Sequence, residues 1–160
     1  MVAPTISFSA VANEEFPATT EINFGSIIAG TTSKEVVRYL SHSKPDGEIF
    51  DVALYLAGTD RDTVIGWGTA GTGGLFVREG IDGTWKVLTG TDMASGVVIA
   101  RGQELANGSM PSAIGVHQDP DGDLVFEGEL PLYFKITVPS DAIAKQYVIE
   151  LYAAFHYYEA

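Results

Sequence analysis

Cysteine is missing from this 160-residue sequence, and basic residues are scarce: nine lysines and arginines stand against twenty-one aspartates and glutamates, a formal net charge of −12. Without thiols there is no thiolate nucleophile, no cysteine-ligated metal and no disulfide framework. The few basic residues are set singly along the chain, which argues against the continuous basic surface that nucleic acid or an anionic membrane would need. No apolar run approaches the roughly 20 residues that cross a bilayer. The start, "MVAPTISFSAV", lacks the basic segment and long apolar stretch of a secretory signal, so the expectation is a chain without its own export address. Also lacking is any amphipathic helical pattern of about twelve residues or more.

What is present is alternation. In "LPLYFKITVP" Leu130, Leu132, Phe134, Ile136 and Val138 fall on one parity, and in "QYVIELYAAFHYY" Tyr147, Ile149, Leu151, Ala153, Phe155 and Tyr157 do the same. A period of two with β-branched and aromatic residues marks half-buried strands. These read as two long core strands, neighbours in sequence and candidates for neighbours in space. Phe50, Val52, Leu54 and Leu56 form another such face, separated from "EVVRYLSHS" by the turn signal "KPDG". "TISFSAV", "EINFGSIIAG", "TWKVLTG", "SGVVIARG" and "SAIGV" give shorter strand candidates.

Short strands punctuated by Gly, Pro, Asp and Asn predict an all-β fold, an antiparallel β-sandwich. Residues 21–160 read as one such domain, with residues 1–20, including "NEEFPATTE", as an N-terminal arm. The centre is glycine-rich, with seven glycines in the twenty residues from Gly66 to Trp85. The 57–83 stretch is therefore expected to be an excursion between the sheets or an added hairpin.

The acidic stretch "VHQDPDGDLVFEGELP" places five carboxylates in eleven positions. Asp119, Asp121 and Asp123 match the first three oxygen ligands of an EF-hand calcium loop. However, Gly122, Leu124 and Leu130 stand where the loop needs other residues, and the pattern fails. "PDGD" then reads as a turn, Pro120 presetting φ and Gly122 permitting positive φ, with calcium at the three aspartates kept as the alternative. Glu127 and Glu129 share a parity and project about 6.5–7 Å apart on a strand, a spacing that also suits glycosidase carboxylates. Two same-face glutamates with no sugar cleft around them read as a solvated face. His42, His117 and His156 are far apart in sequence, and there is no "GxSxG" elbow. "GTAGTGGL" lacks the lysine of a phosphate loop. No enzyme activity and no cofactor are implied.

Two aromatic sets point to binding. Trp67 and Trp85 could stack on sugar rings as in carbohydrate-binding modules, although tryptophans in β-proteins commonly serve burial. In "LYAAFHYYEA" the parity that puts Leu151 inward puts Tyr152, Ala154, His156 and Tyr158 outward. An aromatic outer face poor in charge fits either a covering layer or a subunit interface. The interface candidates are Tyr152, His156, Tyr157 and Tyr158, with Phe16 in the arm.

Two pieces, "INFGSIIAGTTSKEVVRYLSH" and "LPLYFKITVPSDAIAKQYVIELY", resemble immunoglobulin-like β-sandwich domains of tailed-phage virion proteins. The first carries an "FG-x-I-x-AG-x-TS" motif on Phe24, Gly25, Ile27, Ala29, Gly30, Thr31 and Ser33. The second carries "ITVPSDA…Y" on Ile136, Val138, Pro139, Ser140, Asp141, Ala142 and Tyr147. The resemblance spans under a third of the chain, and the glycine-rich centre lies outside it. It implies a structural role in the virion, in a baseplate or tail before a head decoration, with other virion proteins and copies of the same chain as partners. It brings no catalytic residue with it.

Overall fold

The computed structural model describes residues 6–9, 22–42, 47–79, 84–99, 103–106, 115–118, 124–127 and 130–159, with side chains in 22–40, 53–79, 84–97 and 131–154. Most of these residues are strand. The order is β1 (Ile6–Ser9), β2 (Val36–His42), β3 (Gly47–Ala57), α1 (Arg61–Ala70), β4 (Gly74–Glu79), β5 (Trp85–Val87), β6 (Val97–Ile99), β7 (Gln103–Ala106), β8 (Gly115–Gln118), β9 (Leu124–Glu127), β10 (Leu130–Thr137) and β11 (Glu150–Glu159). One sheet, here sheet A, runs β1-β2-β10-β4-β5, and sheet B runs β11-β3-β7-β9-β8 with β6 also on β3. Among the described strands pairing is antiparallel except for β7 with β9, which is parallel.

The alternation of β10 is realised as expected. Leu132, Phe134 and Ile136 are buried while Tyr133 and Lys135 are half-buried on the other face. Leu54 and Leu56 of β3 and Leu151 of β11 join them, together with Leu40, Leu75, Val77, Leu88 and Val64 of α1, in one cluster. Both sheets therefore contribute to the same core. A fully buried Leu or Phe stabilises such a core by about 1.5–3 kcal/mol.

Four expectations are corrected. β10 and β11 are not strand neighbours: β10 lies in the middle of sheet A and β11 at one end of sheet B. Within "EINFGSIIAG" the described residues 22–30 form no strand. Ile22, Phe24 and Ile27 pack on the core without a ladder, so apolar alternation was satisfied by side-chain burial alone. The glycine-rich centre is no excursion, and its β4, which pairs antiparallel with the next strand β5 as a hairpin would, is built into sheet A and not added outside it. It holds α1 and β4, and β4 pairs with both β10 and β5, with Leu75 and Val77 nearly inaccessible. Finally, the parallel β7–β9 pair departs from an all-antiparallel arrangement.

The glycines of α1 explain why composition concealed it. Gly66 and Gly68 each cost a helix interior roughly 0.5–1 kcal/mol against alanine, yet a Cβ at Gly68 would meet Val87 Cγ2 at 2.7 Å and Thr89 Cγ2 at 3.2 Å. Close approach of helix to sheet selects glycine there. The helix stops at Gly71, whose φ of 73° is left-handed, with its N–H donated to the Gly68 carbonyl.

Candidate functional site

The outward side of sheet B carries a compact aromatic patch. Tyr55 of β3 stands directly opposite Tyr152 of β11. Their rings stack with centroids 5.7 Å apart and planes 15° from parallel, an arrangement worth about 0.5–1.5 kcal/mol beyond burial. Leu54, Leu56 and Leu151, their chain neighbours on the opposite parity or across the ladder, are core residues, so the stack faces away from it. Tyr152 remains 46% exposed. Its hydroxyl donates to Glu150 Oε2 at 3.3 Å, and the neighbouring carboxylate raises the phenol pKa above its ordinary 10.0, with hydrogen bonding to the same group as the next cause. Tyr152 thus stays a protonated donor beside an exposed carboxylate.

The outward side of sheet A carries a ladder of rings and cations. Tyr133 stands opposite Arg78, Lys135 opposite Phe76, and Arg78 opposite Trp85. The Arg78 guanidinium lies over Tyr133 at 4.2 Å and over Trp85 at 5.3 Å. Lys135 Nζ lies over Trp85 at 4.2 Å and over Phe76 at 5.7 Å. Contacts of this kind contribute about 0.5–1 kcal/mol each at exposed sites. Glu35 reaches Arg78 at 3.6 Å, a surface pair of small energy. Among the described residues no carboxylate pairs with Lys135.

A groove of about 780 Å³ opens beside the core. One wall is the 22–29 segment, the other the 142–149 segment, and Leu56, Trp67, Leu75, Ile136 and Leu151 form its floor. The first wall continues into residues 30–33, which are tied to the end of β10 by backbone bonds: Gly30 N–H to the Val138 carbonyl at 2.7 Å, Val138 N–H to the Thr31 carbonyl at 3.0 Å, and Ser33 N–H to the Ile136 carbonyl at 2.8 Å. The second wall is tied by a side chain. Asp60, 8% exposed, accepts from Lys145 Nζ at 2.6 Å and from Val148 N–H at 2.7 Å, while its own N–H donates to the Val148 carbonyl at 2.9 Å. The Lys145 hydrogen bond, then the Val148 amide, hold the Asp60 carboxyl below its ordinary 3.8. Although it occupies the N-cap position of α1, Asp60 makes no side-chain cap bond. Its carboxylate holds the 142–149 wall instead.

Of the residues expected to bind, Tyr152 is exposed as its parity required. His156, Tyr157 and Tyr158 lie in β11, opposite Phe50, Ile49 and Glu48, beyond a register shift between Ala154 and His156. The extra residue of that shift lies on β3, where two residues between Phe50 and Ala53 face one on β11; the side chains of His156, Tyr157 and Tyr158 lie outside the described residues. So do Phe16, Asp119, Asp121 and Asp123, Glu129 and the side chain of Glu127. Among the described residues no group of three or more His, Cys, Asp or Glu could hold a metal ion.

Trp67 and Trp85 are not brought together. Trp67 lines the groove and meets Tyr147 edge-on at 5.1 Å; Trp85 belongs to the ladder on sheet A and does not line the groove. His42, His117 and His156 lie in β2, β8 and β11, and the last two strands are at opposite ends of sheet B. The sequence reading missed Arg78, Lys135 and Tyr133. The parity that buried Phe134 also turned Tyr133 and Lys135 outward, but Arg78 joins them only through the β10–β4 pairing. Among the described residues no helix is long and apolar enough to cross a membrane.

Comparison with known proteins finds no matching family model, no matching curated protein and no matching solved structure.

Proposed function

We propose that this chain is a non-enzymatic structural component of a tailed-phage virion, in a baseplate or tail before a head decoration. It would act through contacts with copies of itself and with other virion proteins. In this reading the two sheets are the layers of an immunoglobulin-like β-sandwich, as the resemblance at residues 22–42 and 130–152 implies. The observation that carries it is the outward Tyr55–Tyr152 stack on β3 and β11. Both are long strands, of 11 and 10 residues. A pair of tyrosines held by a strand ladder offers apolar area with little side-chain entropy left to lose, and such aromatics are enriched in protein contacts. Phe16, His156, Tyr157 and Tyr158 belong to the same proposal as further contact residues.

The test is co-sedimentation with particles made in the presence of the wild-type chain or of a Tyr55→Ala/Tyr152→Ala variant. Wild type is expected in the particle fraction and the variant in the supernatant, folded but with a thermal midpoint several degrees lower, as loss of the stack requires. A wild-type chain that never enters particles, or a variant that enters them equally well, overturns the proposal.

A further inference from the structure

The outward faces of the two sheets are chemical opposites. Sheet A presents Arg78 and Lys135 among Tyr133, Trp85 and Phe76. Sheet B presents Glu150 beside Tyr55 and Tyr152. Because residues of both sheets form one core, the alternate residues of each sheet point away from it, and the two patches lie on different sides of the molecule. We infer that the cation–aromatic ladder of sheet A is a docking surface for the Tyr55–Tyr152–Glu150 patch of a second copy. The contact is head-to-tail.

Charge is the first argument. On a chain of net charge −12 a cationic patch is the exception, and Lys135 has no carboxylate partner among the described residues. An acidic partner is what such a patch fits, and the chain supplies one on its other side. Composition is the second argument. Both patches combine aromatic rings with charge, the cations of sheet A lying over the rings and Glu150 of sheet B standing beside Tyr152, and aromatics and arginine are enriched in interface cores. Tyrosine and tryptophan anchors supply most of the contact energy, and opposite charges set the register and exclude the like-with-like pairings. A ladder-to-ladder contact would set Arg78 and Lys135 against their own copies, and a patch-to-patch contact would set Glu150 against Glu150. A contact between different faces leaves both faces of an end copy unfilled, so it propagates to a closed ring or an open stack.

This inference rests on reading the Tyr55–Tyr152 face as an interface, and the test separates the two. Sedimentation velocity is run on the wild type, on Lys135→Glu, on Glu150→Lys and on an equimolar mixture of the two variants, with Asp62→Lys as a control. Asp62 is 87% exposed in its side chain and belongs to neither patch, and its reversal changes net charge as Glu150→Lys does. The wild type and the control are expected to form species larger than a dimer. In Lys135→Glu, with Arg78 paired to Glu35, the sheet A patch turns net negative like the Glu150 patch, and in Glu150→Lys both patches are net positive, so each variant alone should sediment as a monomer. The mixture offers opposite charges again and should recover the large species.

Assembly of Lys135→Glu as in wild type, or no recovery on mixing, overturns the head-to-tail contact. If Tyr152→Ala disperses the assembly under the first of those outcomes, the tyrosine face survives as an interface between like faces. A wild type that stays monomeric overturns the inference while leaving particle attachment to be read from co-sedimentation. Should Lys135→Glu fail to fold, Lys135→Gln, shorter and still polar, removes the charge that lies over Trp85 without reversing it. A several-fold weaker self-association is expected of it, and an unchanged one overturns the inference.

Discussion

The two walls of the groove solve the same problem with different chemistry. The 22–33 wall is fastened to β10 by backbone pairs and by the Thr32 and Thr137 hydroxyls, 2.8 Å apart. The 142–149 wall carries an exposed Ile143 and Val148, and Asp60 binds both Lys145 and the Val148 amide. Backbone bonds do not depend on which side chains are present and do not titrate. A carboxylate latch depends on one residue and on its ionisation. The comparison teaches that neighbouring walls over one floor can differ in how they respond to mutation and to acid.

The largest effect should come from removing what the walls share. Leu56 is fully buried in the floor, and Leu56→Ala is expected to cost about 2–5 kcal/mol, measured by urea unfolding at neutral pH. A loss under about 1 kcal/mol would show that the floor collapses freely around the deletion.

Asp60→Asn addresses the latch alone. It should lower stability at neutral pH, and the loss should shrink with acidification. The sign follows from the lowered folded pKa: the ionised carboxylate's contribution is complete above its ordinary 3.8 and disappears as pH falls through the lower folded value. Urea melts of both proteins from neutral pH to pH 3 check it. Parallel stability curves would remove Asp60 as the latch.

Ser33→Ala probes the other wall and should do least. It removes the Oγ that accepts the Ile136 N–H at 3.0 Å, costing about 0.5–1.5 kcal/mol, while the backbone bond from Ser33 N–H to the Ile136 carbonyl remains. The difference from wild type should be the same at every pH in that range. A pH-dependent difference would join the two walls into one unit.

Much of the strand content was legible because burial on one face writes itself as alternation. Leu132, Phe134 and Ile136 were assigned inward and are buried, and Leu54 and Leu56 likewise. Alternation is silent on who pairs with whom: β10 and β11, candidates for neighbours by their closeness in sequence, belong to different sheets. It is also insufficient: Ile22 and Phe24 alternate yet make no ladder. β4 was hidden by its surroundings, since Leu75 and Val77 give only a short period-two signal among glycines. The same limit applied to the surface. Tyr152 could be placed outward from its own strand. The cationic ladder could not be seen in a chain whose basic residues are spaced far apart, because Arg78 and Lys135 become neighbours only when β4 meets β10.

That meeting has a consequence for the order of events when the chain folds. β2 and β4 do not pair with each other; each pairs with β10, and β3 takes β11 along most of its length. During synthesis from the N-terminus, β2 and β4 must therefore wait with open hydrogen-bonding edges until residues 130–137 emerge. Closing loops of this length slows folding, and unpaired edges on a nascent chain are sites for mispairing with another. Sheet A is completed late, by the strand that carries Phe134 to the core and Lys135 to the surface.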